Sequence, residues 1–132
     1  MIAADTNLLI HHLTQDEATQ AGKVAELFEE AELREEPIFI AQIVLCEVCW
    51  VLKAVFGFKK PQICLALQGL LDDGTFYIEE RPLAEKALEL YARHAGQFPD
   101  HLLGVIAKHH GATTTYTFDK EVGKFRGFTL LK

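Results

Sequence analysis

Four acidic residues, Asp5, Glu47, Asp100 and Asp119, stand where a carboxylate needs a reason. Asp5 ends the apolar run Ile2-Ala3-Ala4, which reads as a buried strand running into the polar turn Asp5-Thr6-Asn7. Asp119 ends Thr113 to Phe118, a stretch of β-branched and aromatic residues that reads as another strand. Ligands of open α/β sheets bind beyond the carboxyl ends of the strands, so parallel strands would bring both acids to one rim. Glu47 lies in the middle of Ile43 to Leu52, apolar nearly all round and expected to be buried on most faces. A carboxylate there needs a cation, a metal or a hydrogen-bond donor. Lys53 is six residues away, off the i+3 and i+4 positions that would let it pair on the helix. Asp100 follows Pro99 and opens a helix.

Each acid also has a structural explanation. Asp5, Asp100 and Asp119 stand where Asp is favoured as a helix cap. Glu47 could pair with a distant Lys or Arg, or lie on a narrow exposed edge. If the four converge, they repel each other unless divalent cations intervene. Oxygen-only ligation favours Mg²⁺ or Mn²⁺ over zinc. One such ion lowers the pKa of a bound water and stabilises charge on a phosphoryl oxygen; two ions ~4 Å apart serve both the attacking and the leaving oxygen. The matching chemistry is phosphodiester hydrolysis.

The elements that must position these acids alternate. Helical spacing runs from Ala18 to Leu33, Gln42 to Phe56, Pro61 to Leu71, Leu83 to His94 and Asp100 to His110. Between them fall short strands at Ile38-Phe39-Ile40, Phe76-Tyr77-Ile78 and Thr113 to Phe118, with a fifth candidate at Phe128 to Leu131. Gly57, Gly96 and Gly111 close helices. This alternation predicts an α/β fold, a mostly parallel sheet of about four to five strands with helices on both faces. The helices on either side of Pro61 are expected to form a projecting hairpin. With 132 residues and no linker or repeat, residues 1–132 read as a single domain.

Composition excludes several classes. The chain is 49% hydrophobic and 24% charged, ordinary for a globular protein. Its longest apolar-rich segment, Ile38 to Phe58, is interrupted by Gln42, Glu47, Lys53 and Gly57, so no membrane span is expected. The N-terminus lacks a signal-peptide pattern, which predicts a cytoplasmic protein. Cys46, Cys49 and Cys64 are odd in number, and no second Cys or His pair completes a zinc site around Cys46 and Cys49. They read as free thiols, largely buried. The net charge of −6 is unusual for a nucleic-acid binder, though four metal-ligating acids would account for most of it.

The ordered motifs resemble those of PIN domains, and specifically of the VapC toxins of bacterial toxin–antitoxin pairs. Asp5-Thr6-Asn7-Leu8-Leu9-Ile10 is similar to that family's opening motif, and Glu47-Val48-Cys49-Trp50-Val51-Leu52 to its helical glutamate segment. Asp100-His101-Leu102-Leu103 resembles the start of its later helix, and Thr117-Phe118-Asp119-Lys120 its Thr-Phe-Asp segment. The resemblance implies a three-layer α/β/α sandwich. It implies an endoribonuclease using one or two Mg²⁺ or Mn²⁺ ions on Asp5, Glu47, Asp100 and Asp119, with supporting polar roles for Thr6, Asn7 and Thr117. It also implies a homodimer and a cognate VapB-type antitoxin that inserts a peptide into the active-site groove.

The chain departs from the pattern at three places. His11 stands where many relatives carry Arg, Gln97 where some carry a further Asp, and His101 where a small residue is usual. His101 is expected to line the site or face solvent; His11-His12 and His109-His110 read as surface pairs. Candidate RNA contacts are His11, Lys53 and Lys120. Competing readings are a PIN nuclease outside toxin systems, a PIN fold used only for binding, and a haloacid-dehalogenase-like phosphatase. The last would want a second Asp where Asn7 stands.

Overall fold

In the computed structural model, which describes residues 1–132, the opening apolar run is strand β1, Ile2–Ala3, and helix α1, Thr6–Thr14, follows at once. The expected polar turn at Asp5-Thr6-Asn7 is therefore the first turn of a helix. Leu9 and Ile10 are its buried residues. Helix α2 (Ala18–Leu33), strand β2 (Ile38–Ile40), helix α3 (Gln42–Ala54), helix α4 (Lys60–Asp72) and strand β3 (Phe76–Ile78) complete the first of two compact units, residues 1–81.

The three strands pair in the order β1-β2-β3, all parallel, with Ala3 opposite Phe39 and Phe39 opposite Tyr77. Their carboxyl ends therefore share a rim, carrying Asp5, Gln42 and Glu79 just beyond them. Ile38, Ile40, Phe76 and Ile78 point into the core, where Leu9, Leu45, Val48, Leu52, Ile63 and Leu67 are also buried. Burying each such side chain contributes roughly 1.5–3 kcal/mol, and the apolar faces hold α1 against α3, α3 against α4 and α4 against β3. Helix α3 ends where Gly57 takes φ +68° and the Phe58 N–H returns to the Leu52 carbonyl at 2.9 Å. Arg81, the last residue of this unit, donates to the carbonyls of Leu71 and Phe76 and so ties the end of α4 to β3.

The second unit, residues 82–132, holds most of helix α5 (Arg81–Arg93), helix α6 (Phe98–His109), strand β4 (Thr115–Thr117), a 3-10 turn at Val122–Lys124 and strand β5 (Phe128–Leu130). Strands β4 and β5 pair parallel, with Tyr116 opposite Thr129. The ladders of the chain are thus three-stranded in one unit and two-stranded in the other, parallel throughout. Tyr91, Phe98, His101, Leu102 and Val122 are buried. Phe128 lies against Gly104 of α6, where an added Cβ would come within 2.6 Å of its ring. The missing side chain at Gly104 is what admits that ring.

No helix is long and apolar enough to cross a membrane. All three cysteines are free: Cys49 is buried, and Cys46 and Cys64 are half-buried. Burial pushes the thiols of all three up, that of Cys49 furthest.

Candidate metal-binding carboxylates

Asp5 is the N-cap of α1: its backbone is extended and Oδ1 accepts from the Leu8 N–H at 3.1 Å. The residue types that signalled a turn are also those that cap helices, and here the cap prevailed. The second oxygen, Oδ2, accepts no hydrogen bond. Asn7 is exposed and Thr6 half-buried in the same turn.

Glu47 is exposed rather than buried. Helix α3 buries Leu45, Val48, Cys49 and Leu52 on one face and leaves Ile43 and Trp50, both 68% exposed, on the other with Glu47. An all-round apolar composition therefore does not mean an all-round buried helix. The Glu47 carboxylate makes no hydrogen bond or ion pair; its charge adds to burial in raising the Cys46 thiol. Lys53 is exposed on the same helix.

The rim of the first unit carries a further acid beside Asp5. Glu79 follows β3 directly, and its Oε1 accepts the Gln42 N–H at 2.9 Å across 37 positions. The N-cap of α3, Ala41, offers no side-chain hydrogen bond, so Glu79 supplies what the local sequence lacks. The rule that located Asp5, an acid just beyond a buried strand, applies equally to Glu79. The Gln42 side chain presents a buried Nε2 with no partner beside this junction.

In the second unit Asp100 is not the N-cap of α6. The cap position is Gln97, and Asp100 sits at N3, its Oδ2 accepting the Gln97 N–H at 3.0 Å. Pro99 lies within the first turn, where a missing N–H costs nothing. Asp119 Oδ1 accepts from the N–H groups of Glu121 (2.8 Å) and Val122 (3.2 Å), holding the turn after β4. The Asp119 N–H in turn donates to Thr117 Oγ1 at 3.0 Å. Lys120 is exposed next to it.

The histidines settle into specific surroundings. His11 Nδ1 lies 3.0 Å from Asp16 Oδ1, which also accepts the Thr14 hydroxyl at 2.9 Å. The Thr14 hydrogen bond, followed by that from His11, holds the Asp16 carboxyl below its usual range. His12 packs edge-on against Phe28 and Phe76, and burial lowers its pKa against the pull of Asp73. Both are half-buried, whereas the sequence predicts a surface pair; His109 and His110 are exposed, as the sequence predicts. His101 neither lines an open site nor faces solvent. It is 4% exposed, its Nε2 lies 2.8 Å from the Ala95 carbonyl, and its ring stacks on Phe125 at 4.7 Å.

The four carboxylates share one property: none pairs with a Lys or Arg, although Glu30, Glu89 and Glu121 do. Each aspartate uses one oxygen on backbone N–H groups and keeps the other for a further partner. A free carboxylate oxygen is the kind of donor a hard divalent cation takes. Within neither unit do three His, Cys, Asp or Glu side chains form a metal-holding group; Asp5 and Glu47 belong to the first unit, Asp100 and Asp119 to the second.

A family model described as PIN domain matches residues 2–127. The chain is 27% identical over 120 residues to a protein of Aquifex aeolicus (strain VF5) named VapC ribonuclease, covering 91% of this chain and 88% of that one. No solved structure matches it significantly. The ordered acids, the parallel α/β elements and a family match over nearly the full length agree, and the chain belongs to the PIN domain family.

Proposed function

We propose that this chain is a VapC-type ribonuclease, a metal-dependent endonuclease that hydrolyses RNA phosphodiester bonds. The observation that carries the reading is the near-full-length similarity to a VapC ribonuclease, in a chain whose Asp5, Glu47, Asp100 and Asp119 all lack cationic partners. Those four would hold one or two Mg²⁺ or Mn²⁺ ions. The ions would supply an activated water and charge stabilisation at the phosphate.

The chain's own groups divide the remaining work. Backbone N–H groups fix one oxygen of each aspartate and so orient the other. Thr117 steadies the Asp119 turn, and Glu79 anchors the start of the helix that carries Glu47. Thr6 and Asn7 stand beside Asp5 as supporting polar groups. Lys53 and Lys120 are offered to RNA phosphates; His11, its Nδ1 facing Asp16, is left with its other ring nitrogen for that role.

The same reading makes the chain a cytoplasmic toxin, a homodimer, neutralised by a VapB-type antitoxin. The test is cleavage of structured RNA by the purified chain, free of antitoxin, with Mn²⁺ or Mg²⁺. Cleavage that EDTA abolishes supports the reading. Absence of cleavage with either metal sinks it for the RNAs tried and favours a PIN fold used for binding alone.

A further inference from the structure

Trp50 is the chain's one tryptophan, and 68% of it is exposed. A helix normally turns such a ring to the core, and α3 had the choice, since it buries Leu45, Val48, Cys49 and Leu52 instead. Trp50 follows Glu47 by three positions and precedes Lys53 by three, so the indole is the helix-surface neighbour of both the carboxylate and the ammonium, which themselves stand about 120° apart around α3. All three are exposed, and Glu47 to Lys53 spans about 9 Å of helix axis. Lys53 makes no ion pair, whereas Arg34, Lys86, Arg93 and Lys124 are each paired with a glutamate.

The second unit repeats the grouping on a different element. Phe118 is 77% exposed and directly precedes Asp119, which directly precedes Lys120, also without an ion pair. Tyr116, 64% exposed, lies two residues before Phe118 on β4. In both units, then, a candidate ligand acid has an exposed aromatic ring and an unpaired lysine as its neighbours.

We propose that Trp50 is a nucleobase-stacking residue: its indole takes an unpaired base next to the phosphate engaged at Glu47, and Lys53 takes a neighbouring phosphate. This rests on the ribonuclease reading above and adds how the substrate is gripped. Every base has a π-face, so an exposed indole binds unpaired nucleotides with little regard to sequence. Bases in a duplex are stacked on one another and cannot offer that face. Ile43, on the same stripe, would also suit a protein partner. The flanking Glu47 and Lys53 decide against it, because charged residues are depleted at the core of protein interfaces.

The single tryptophan makes the test direct. A mixed-sequence single-stranded oligoribonucleotide, labelled at one end, is titrated into the Asp5→Asn chain while indole fluorescence and label anisotropy are followed together. The same strand annealed to its complement is the control. Cleavage kinetics with Mn²⁺ are measured for the unaltered chain, Trp50→Phe and Trp50→Ala. Quenching with the single strand and little with the duplex is expected. Trp50→Ala should raise KM about tenfold with kcat near unchanged, and Trp50→Phe should recover most of that loss.

Binding by anisotropy without quenching overturns the proposal, as does an unaltered KM in Trp50→Ala. If that variant keeps its KM but changes its sedimentation from dimer to monomer, the face belongs to a protein contact and the proposal falls. An unaltered chain that cuts no RNA removes the ribonuclease reading and this inference with it. A chain that cuts normally while Trp50 is silent removes this inference alone.

Discussion

Replacing Asp5 in two ways separates its two roles. Its Oδ1 caps α1 through the Leu8 N–H at 3.1 Å, while its Oδ2 accepts nothing. Asp5→Asn keeps an oxygen where the cap needs one and loses only the charge that favours a helix N-terminus, a cost of a few tenths of a kcal/mol. Asp5→Ala removes the acceptor as well and costs about 1 kcal/mol, a drop in Tm of about 3–5 °C for a chain of this length. Stability should therefore run unaltered, then Asn close behind, then Ala. Activity should not follow that order. If Asp5 is a metal ligand, both variants lose Mn²⁺-dependent RNA cleavage by about 100-fold or more, the several kcal/mol that a bound ion contributes. Thermal unfolding and single-turnover cleavage on the same three proteins decide the matter. An Asn variant that cuts RNA at the unaltered rate would refute the metal-ligand assignment. An Asn variant as unstable as Ala would refute the capping argument.

Gly96→Ala should cost about 1–3 kcal/mol, because Gly96 has φ +92° and an added Cβ would come within 2.6 Å of the Phe125 ring; a lowered midpoint in urea checks it. His12 supplies a pH dependence. Its folded pKa lies below the ordinary 6.5, so the unfolded chain binds the proton first as pH falls. Its stabilising contribution is present above 6.5 and is lost as pH falls through the folded value. Tm should thus decline as pH falls below 6.5 more steeply in the unaltered chain than in His12→Phe. In the native protein iodoacetamide should label Cys64 first, Cys46 next and Cys49 last, as read by mass spectrometry, since burial is deepest and the thiol raised furthest at Cys49.

Most of this architecture is readable from apolar spacing: α2, β2 and β3 fall where the periodicity puts them, because each buries one regular face. Helix α1 was hidden because Asp5, Thr6 and Asn7 suit a turn and a helix start equally well, and only tertiary packing of Leu9 and Ile10 chooses. Asp100 was misplaced by three positions because Pro99 sits inside the first turn of α6, not before it. Glu47 is exposed where the apolar run around it predicts burial. The expected cost of burying it does not exist, since Ile43 and Trp50 on its side of the helix are themselves exposed; its claim rests on motif order and on its lack of a partner. Glu79 was missed because its partner is a backbone N–H 37 positions away, and no local pattern marks such a bond.

If these carboxylates bind a divalent metal, Glu47 is the residue at which that is most cleanly measured. Being exposed and without a partner, its replacement by Gln should leave stability within about 0.5 kcal/mol. Calorimetric titration of Mn²⁺ into the unaltered chain and into Glu47→Gln should give saturable binding in the first and binding weakened about tenfold or more in the second. No binding at millimolar Mn²⁺ in the unaltered chain, or equal binding in both, would exclude Glu47 as a metal ligand.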